Sequence, residues 1–255
     1  MATVTDKKLK KLLDLCPKGH VCLSSWLNEN KISYDLQQYY RRAGWLESLG
    51  QGAYKRQGNP VDWKAALSAL QNQSAHKAHV GALTALSFQG YSHYLRMGGE
   101  RVYLFMPSGG SLPKWFRDQE WGQDVHLSGT GFLPAEIGVT ESTQGDLRLK
   151  ISEPERAILE CLYLSPDDLD LVECYHLMEG LANLRPRLLQ ELLEECKSIK
   201  VKRLFLYLAG KAGHQWFKFF DPAKVETGTG DRAIVKGGVY VPKHKISVPR
   251  ELAEL

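Results

Sequence analysis

The sequence contains no uninterrupted apolar run of about eighteen residues, so it lacks the apolar length that a membrane-spanning helix needs. Residues 1–11 are polar and rich in lysine, with no apolar segment behind them, and we therefore expect no secretory signal. Cysteines are few and odd in number, with 5 in total and none in a Cys-x-x-Cys motif. This pattern predicts reduced thiols in a cytoplasmic protein rather than a disulfide framework or a zinc ribbon.

Charge is distributed unevenly along a chain that otherwise has an ordinary globular composition. The hydrophobic fraction of 43% and the net charge of +4 exclude global disorder, and 255 residues suffice for one large domain or two small ones. Residues 1–58 carry 10 Lys and Arg against 5 Asp and Glu, residues 59–196 carry 11 against 19, and residues 197–250 carry 12 against 3. Two basic ends around an acidic middle indicate separate electrostatic roles, or lysines that only keep a surface soluble.

The first 58 residues have the element order of a winged helix-turn-helix. Apolar side chains at helical spacing predict a first helix, Pro17 and Gly19 end it, and Ser33 is a suitable N-cap for a third helix that ends at Gly44. Two short strands then flank the turn Gly50-Gln51-Gly52. The predicted helices cover residues 7–16, 26–30 and 34–43, and the predicted strands cover 45–49 and 53–56.

Beyond a linker at residues 57–60, the chain mixes helices and strands. The segment Ser152-Glu153-Pro154-Glu155 predicts a helix start, with Ser152 as the cap and Pro154 in the first turn. The predicted class is therefore α+β, with an N-terminal winged helix-turn-helix domain over residues 1–58 and a larger mixed α+β domain over 59–255. In this second part we expect helices over 61–72, 78–88, from 152 onward, 169–181, 186–196 and 198–209, strands over 101–106, 124–127 and 146–151, and short β segments within 235–248.

The third predicted helix carries the side chains best suited to contacting DNA. If Leu36, Tyr39 or Tyr40, and Ala43 face the core, the polar residues of this helix face outward. Gln can pair with adenine, Arg with guanine or a phosphate, and Tyr with a phosphate or a thymine methyl group, while the wing would contact the flanking backbone. The candidate DNA-binding residues are Ser33, Tyr34, Gln37, Gln38, Arg41, Arg42, Gln51, Lys55 and Arg56.

Patterns that favour an enzyme are weaker than the pattern that favours DNA binding. Asp167, Glu195 and Lys197 match the letters of a metal-dependent nuclease motif, but that chemistry needs its carboxylates on adjacent strands, and these residues lie at predicted helix ends. His76 and His79 have the spacing of a metal pair but no further ligand nearby. We therefore expect no catalytic residue, no metal site and no cofactor.

Three stretches resemble the AbiEi family of antitoxins and transcriptional regulators, one half of bacterial type IV toxin–antitoxin systems. Residues 19–55, with Tyr-Tyr-Arg-Arg-Ala-Gly-Trp-Leu at 39–46, are similar to the winged-helix end of that family. Residues 82–90 resemble the small-residue helix that often follows it. Residues 149–160, Leu-Lys-Ile-Ser-Glu-Pro-Glu-Arg-Ala-Ile-Leu-Glu, resemble its strand-then-helix segment.

The resemblance implies two activities. The N-terminal domain would bind double-stranded promoter DNA and repress its own operon, and residues 59–255 would counter a nucleotidyltransferase toxin without a stable complex. The basic stretch from Lys197 to Lys218 is one candidate for the antitoxin surface, facing RNA or an acidic protein. A plain transcriptional regulator, with a ligand-sensing or dimerising C-terminal domain, remains an alternative to this interpretation.

Overall fold

The structure is a computed structural model that describes residues 4–91 and 101–255, with side chains described from Lys7 onward. Its α-helices are α1 (Val4–Leu15), α2 (Ser24–Glu29), α3 (Tyr34–Arg42), α4 (Trp63–Gln73), α5 (Ala82–Phe88), α6 (Lys114–Arg117), α7 (Pro154–Leu164), α8 (Leu171–Gly180), α9 (Pro186–Glu195), α10 (Ile199–Ala212) and α11 (Arg250–Glu254). Its strands are β1 (Val21–Leu23), β2 (Leu46–Gly50), β3 (Ala53–Arg56), β4 (His79–Val80), β5 (Val102–Met106), β6 (Val125–Gly129), β7 (Val139–Gln144), β8 (Leu147–Ser152), β9 (Arg232–Ala233), β10 (Val239–Val241) and β11 (Ile246–Val248).

The strands form three sheets within the described residues. The first has the order β1-β3-β2 with antiparallel pairing, so the central strand is β3. The second has the order β6-β5-β4-β8-β7, in which β5 pairs parallel with β6 and β4 pairs parallel with β8. The third has the order β10-β11-β9 and lies in the C-terminal segment. This mixture of helices with parallel and antiparallel strands confirms the α+β class.

The helix-turn-helix forms around a small apolar core. Leu12 of α1, Leu27 of α2, Ile32 in the turn and Tyr40 of α3 are all at most 1% exposed and pack in one cluster with Leu46 of β2. Each helix contributes an apolar stripe that the neighbouring elements cover. This burial stabilises helices that would be too short to be stable alone. The core therefore fixes the position of α3 relative to the two-stranded wing.

Two cysteines in this core correct a sequence-based prediction. Cys16, which follows α1, and Cys22 in β1 form a disulfide, so the prediction that all the cysteines are reduced thiols is wrong for this pair. Cys161 and Cys174 are free thiols with no exposed surface, so both are core residues. Burial raises the pKa of Cys174 to about 12, which keeps this thiol protonated and unreactive at neutral pH.

Two compact units divide the chain, and neither is continuous in sequence. Unit 1 consists of the chain up to His79 together with the segments Gly110–Asp124 and Glu141–Lys150. Unit 2 consists of Val80–Gly109, Val125–Thr140 and Ile151–Leu255. The independent winged-helix domain that the sequence predicts over residues 1–58 stays a prediction, and in the structure these residues form only a part of unit 1.

In unit 1, α4 joins the winged helix through the side chain of Gln73. The backbone N–H of Leu23 donates a 2.7 Å hydrogen bond to Gln73 Oε1, and Gln73 Nε2 donates to the carbonyl oxygen of Val21 at 2.9 Å. One amide side chain thus pairs two backbone groups of β1. Helix α4 itself begins at Trp63, where the carboxylate of Asp62 accepts the N–H of Ala65.

In unit 2, a buried ion pair holds the start of α7. Arg156 Nε donates to Glu160 Oε1 at 2.8 Å, and both side chains are at most 6% exposed. The second oxygen of Glu160 accepts hydrogen bonds from the Ser152 hydroxyl at 2.7 Å and from the backbone N–H of Ala82 at 3.0 Å. The sequence predicts Ser152 as the helix cap, but Glu153 occupies that position, and Ser152 serves the ion pair instead.

Most predicted elements occur with shifted ends, and four of the described strands, β1, β4, β7 and β9, were not predicted. Strand β4 and the start of α5 replace the single helix predicted over residues 78–88, because parallel pairing between Val80 and Ile151 overrides the helical propensity of the small residues. Strand β7 is mostly polar, and so it lacks the apolar alternation that marks a strand in a sequence. In the described part of the chain, no helix is long and apolar enough to cross a membrane.

Candidate nucleic-acid interface

Helix α3 begins at the residue that the sequence predicts. Ser33 is the N-cap, and its hydroxyl accepts the backbone N–H of Leu36 at 3.4 Å. The preceding turn places Ile32 in the core, with its own N–H donated to the carbonyl oxygen of Leu27 at 2.9 Å. The turn and the cap together fix how α3 projects from the core.

One side of α3 is open to solvent and rich in groups that bind nucleic acid. Arg41 and Arg42 are exposed in the last turn, and neither forms an ion pair with any described residue. Tyr34 and Tyr39 are each 55% exposed, and Gln38 is half-buried. These side chains can donate to phosphates and base edges or stack on bases, so this side of the helix suits a groove of duplex DNA.

Gln37 is not part of that exposed side, and the prediction that it faces outward is wrong. Its side chain is buried at 1% exposure, because residue 37 lies one turn before the core residue Tyr40. Gln37 Oε1 accepts a hydrogen bond from the Ser24 hydroxyl at 2.6 Å, and Nε2 donates to the carbonyl oxygens of Ser24 and Ile32 at 3.0 and 2.8 Å. Ala43, predicted to face the core, is exposed just beyond the end of α3.

Strands β2 and β3 form the wing, with Gln51 exposed at its tip. The turn uses Gly50 and Gly52 at positive φ, 135° and 86°, where residues with a side chain are strained. Lys55, on the central strand, forms an ion pair of 3.3 Å with Glu47 across the hairpin. The wing therefore presents a polar tip, and Glu47 partly neutralises the charge of Lys55, the lysine predicted to contact DNA.

Arg56 has a structural role that the sequence does not reveal. Its guanidinium group donates to the carbonyl oxygens of Leu13 and Cys16 at the end of α1, the latter at 2.6 Å. A cation at a helix C-terminus pairs carbonyl groups that the helix leaves unsatisfied. The guanidinium group of Arg56 therefore points towards the end of α1, which corrects the prediction that it points from the wing towards a DNA backbone.

A later segment of unit 1 packs against the wing and adds a basic residue that sequence reasoning missed. Gln119 Nε2 donates to the carbonyl oxygen of Leu49 at 2.9 Å, and a Cβ at Gly50 would lie 2.7 Å from the Cβ of Trp115. Arg117, on the same short helix α6, is exposed and forms no ion pair with a described residue. The only local signal for Arg117 in the sequence is its position, directly after the buried aromatic residues Trp115 and Phe116 and before an exposed turn.

The candidate enzymatic residues do not come together. Asp167 lies in the turn after α7 and Glu195 is the last residue of α9, so neither occupies the strand position that a nuclease of this type uses. His79 is buried, and His76 is within hydrogen-bond distance of the carbonyl oxygen of Ser111. Among the residues that the structure describes, no three metal-ligating side chains form a group able to hold an ion.

The helix order, the three-stranded sheet and the exposed side of α3 define the class: an α+β protein with an N-terminal winged helix-turn-helix. The family described as transcriptional regulator, AbiEi antitoxin, type IV TA system matches residues 99–249. The AbiEi antitoxin N-terminal domain of such regulators matches residues 5–97. The chain belongs to the AbiEi antitoxin family of transcriptional regulators in type IV toxin–antitoxin systems.

A solved structure supports the same fold. The crystal structure of the RV2827C protein from Mycobacterium tuberculosis is similar with a TM-score of 0.60 over 89% of this chain and 85% of that one. The sequence identity is 14%, so this likeness concerns the fold alone. No curated protein matches the sequence significantly.

Proposed function

We propose that this protein is the antitoxin and autorepressor of a type IV toxin–antitoxin operon in the cytoplasm. Helix α3 enters the major groove of double-stranded promoter DNA, and the wing contacts the neighbouring backbone. The predicted C-terminal domain, residues 59–255, counters a nucleotidyltransferase toxin, and we expect no stable complex between the two proteins. Membership of the family supports both activities, and the geometry of α3 supports the first.

The observation that carries the DNA-binding proposal is the division of α3 into two sides. Gln37 and Tyr40 anchor the helix in the core, while Arg41 and Arg42 project into solvent without ion-pair partners among the described residues. Two arginines without ion-pair partners repel each other on a protein surface, and binding to a polyanion relieves this repulsion. A recognition helix has this division between an anchored side and a cationic side.

The exposed residues divide by the contact that we propose for each. Gln38 and Arg41 contact base edges, because their side chains pair with adenine and guanine in the major groove. Ser33, Tyr34 and Arg42 contact phosphates around the helix, and Gln51 and Lys55 contact the backbone from the wing. Gln37 and Arg56 are left out of this interface because the core and α1 occupy their polar groups.

Binding to the native upstream DNA tests this proposal with the full chain. Fluorescence anisotropy should show tight binding to the operon's own promoter and weaker binding to a scrambled duplex. Arg41→Ala and Gln38→Ala should each cost roughly 1–3 kcal/mol on the promoter and less on the scrambled duplex. Arg148→Ala removes an exposed arginine of the same unit outside α3 and the wing, and should leave both affinities unchanged. Equal losses for all three variants on both duplexes would contradict the proposed contacts.

Growth rescue tests the antitoxin half separately. Coexpression of the full chain should restore the growth of cells that produce the neighbouring nucleotidyltransferase toxin. The double variant Arg41→Ala/Arg42→Ala should lose repression of a promoter fusion but keep the rescue, because both changes lie on α3. Failure of the wild-type chain to rescue growth would favour a plain transcriptional regulator.

A further inference from the structure

Unit 2 contains an open cavity at the start of α10 that the proposed function does not use. The cavity has a volume of about 470 Å³ and is lined by Phe132, Tyr163, Lys197, Ile199, Lys200 and Arg232, among others. A second cavity of about 390 Å³ shares Lys200 and Arg232 with the first. Both volumes lie in the range of sites that hold small molecules, roughly 300–1,000 Å³. Three cations around one cavity indicate an anionic ligand.

Two hydrogen bonds hold the ammonium group of Lys200 in place and leave one of its N–H donors available. Its ammonium group donates to the carbonyl oxygens of Tyr163 at 2.7 Å and Ser165 at 2.6 Å. A lysine ammonium has three N–H donors, so one remains for a ligand in the cavity. Partial burial lowers the pKa of Lys200 below its usual value, and an anion beside the ammonium would favour the charged form.

Lys197 and Arg232 are exposed cations without an ion-pair partner among the described residues. The positions of both backbones are fixed. The N–H of Lys197 donates to the carbonyl oxygen of Phe132, and the N–H of Arg232 donates to that of Lys245, each at 2.9 Å. Both residues line the cavity, and a bound anion would give these two cations a counter-charge.

A buried arginine, Arg203, holds the backbone of the loop that precedes Arg232. Arg203 is 1% exposed, and its guanidinium group donates to the carbonyl oxygens of Thr227, Gly228, Thr229, Gly230 and Lys245 at 2.7–3.4 Å. This network fixes the loop just before Arg232, which starts β9. The loop is rigid because one side chain satisfies five backbone carbonyls, and we treat Arg203 as a positioning residue.

The cavity also offers backbone donors and an apolar surface. Ser198 caps α10, a helix of 14 residues, and the N–H groups of its first turn, including Ile199 and Lys200, have no intrahelical acceptor. Phe132 and Tyr163 stack with ring centroids 4.3 Å apart, and together with Ile199 they form an apolar wall beside the cations. Phosphate groups next to an apolar part are the chemistry of a nucleotide.

We propose that this cavity binds a nucleoside triphosphate, with its phosphate groups held by Lys197, Lys200, Arg232 and the start of α10. The carboxylate of Asp167 lines the second cavity and would repel phosphate, so we place the phosphates in the first cavity, which Asp167 does not line. Tyr163 and Ile199, the partly exposed residues of the apolar wall, then contact the nucleoside. No chemical step is implied, and the site is separate from the DNA-binding residues of α3.

Calorimetric titration of the full chain with ATP tests this site. We expect saturable one-to-one binding, and at least about a tenfold loss of affinity in the double variant Lys197→Ala/Arg232→Ala, since each change removes a charged hydrogen-bond donor. Lys236→Ala removes an exposed lysine of the same C-terminal segment that does not line the cavity, and should bind ATP like the wild type. All three changed residues are exposed, so the variants should unfold at the wild-type temperature.

Two further titrations identify the chemical class of the ligand. Inorganic triphosphate should bind more weakly than ATP, because it makes no contact with the apolar wall. Asp167→Asn should bind ATP as well as the wild type or better. The proposal is overturned if ATP shows no saturable binding, if inorganic triphosphate binds equally well, or if Lys236→Ala loses as much affinity as the cavity variant. It is also overturned if the loss occurs in Arg41→Ala/Arg42→Ala instead.

Discussion

The hydroxyl group of Ser24 donates a 2.6 Å hydrogen bond to Oε1 of Gln37, which joins the first residue of α2 to the middle of α3. The same amide donates to the carbonyl oxygens of Ser24 and Ile32. Gln37 thus makes three hydrogen bonds inside the helix-turn-helix, and no other described side chain spans both helices and the turn in this way. Its role is to hold the angle between the two helices.

The first prediction concerns Gln37 and its neighbour. Gln37→Ala should lower the free energy of unfolding by about 1–3 kcal/mol, because it leaves buried carbonyl groups unpaired. Gln38→Ala, at a half-buried position with no such bonds, should change it by less than about 0.5 kcal/mol. Urea denaturation of both variants measures the difference. A stable Gln37→Ala protein with reduced DNA affinity would mean that Gln37 reaches DNA after all.

The second prediction tests Arg117 beside the wing. If α6 contributes to the interface, Arg117→Ala should weaken binding to promoter and scrambled DNA alike, because a phosphate contact carries no sequence information. The slope of log affinity against log salt concentration should fall by about 1. Arg148→Ala is the control, since it removes the same charge from the same unit. An unchanged salt slope in Arg117→Ala would exclude α6 from the interface.

The third prediction compares two glycines of the wing turn. Gly50→Ala should destabilise the protein by more than about 2 kcal/mol, because the new Cβ combines backbone strain with an overlap with Trp115. Gly52→Ala meets no atom within 4 Å and should cost only the backbone strain, about 1–2 kcal/mol. Thermal and urea unfolding of the pair separate the two terms. Equal losses would show that Trp115 does not press against the turn in solution.

The fourth prediction concerns acid sensitivity at Glu155 in unit 2. Burial acts to raise the pKa of this carboxyl, but hydrogen bonds from the side chain and backbone of Arg185, at 2.7–3.0 Å, outweigh it and hold the pKa below its usual value of 4.5. The stability from this pair is therefore fully present above pH 4.5 and is lost as the pH falls through the lower folded-state pKa.

Glu155→Gln should accordingly be less stable than the wild type at pH 7, by about 1–3 kcal/mol, since the charged hydrogen bonds to Arg185 are lost. The difference should shrink as the pH falls, because the wild-type carboxyl also becomes neutral. Unfolding free energies at pH 7, 5 and 3 give the test. A difference that stays constant over this range would show that the pKa of Glu155 is the same in the folded and the unfolded protein.

Local features of the sequence predict local structure well here. Ser33, the tight glycine turn and the Pro154 helix start each act through neighbouring residues, and the corresponding elements begin within a few residues of the predicted positions. The burial of Gln37 could not be predicted, because a glutamine on a helix is normally exposed and its partners lie 5 and 13 residues away. A polar residue spaced three positions from a core tyrosine is the only signal for it.

Contacts between distant segments account for the rest. The packing of Trp115 against Gly50 and the bond from Gln119 to Leu49 join residues 65–70 positions apart, and no periodicity in the sequence reports them. Arg56 resembles any arginine at the end of a hairpin until the carbonyl groups of α1 are placed beside it. The sequence therefore predicted helix α3 itself but not the residues that surround it, and the assignment of its exposed side to DNA stays a prediction.

The discontinuous make-up of unit 1 has a consequence for synthesis. Its segments Gly110–Asp124 and Glu141–Lys150 are translated long after Leu49 and Gly50. At about 5–20 residues per second, a ribosome needs roughly 5–20 s to move from the wing to the end of this unit. During that interval the nascent winged helix lacks the partner for its turn, so unit 1 becomes complete only late in translation.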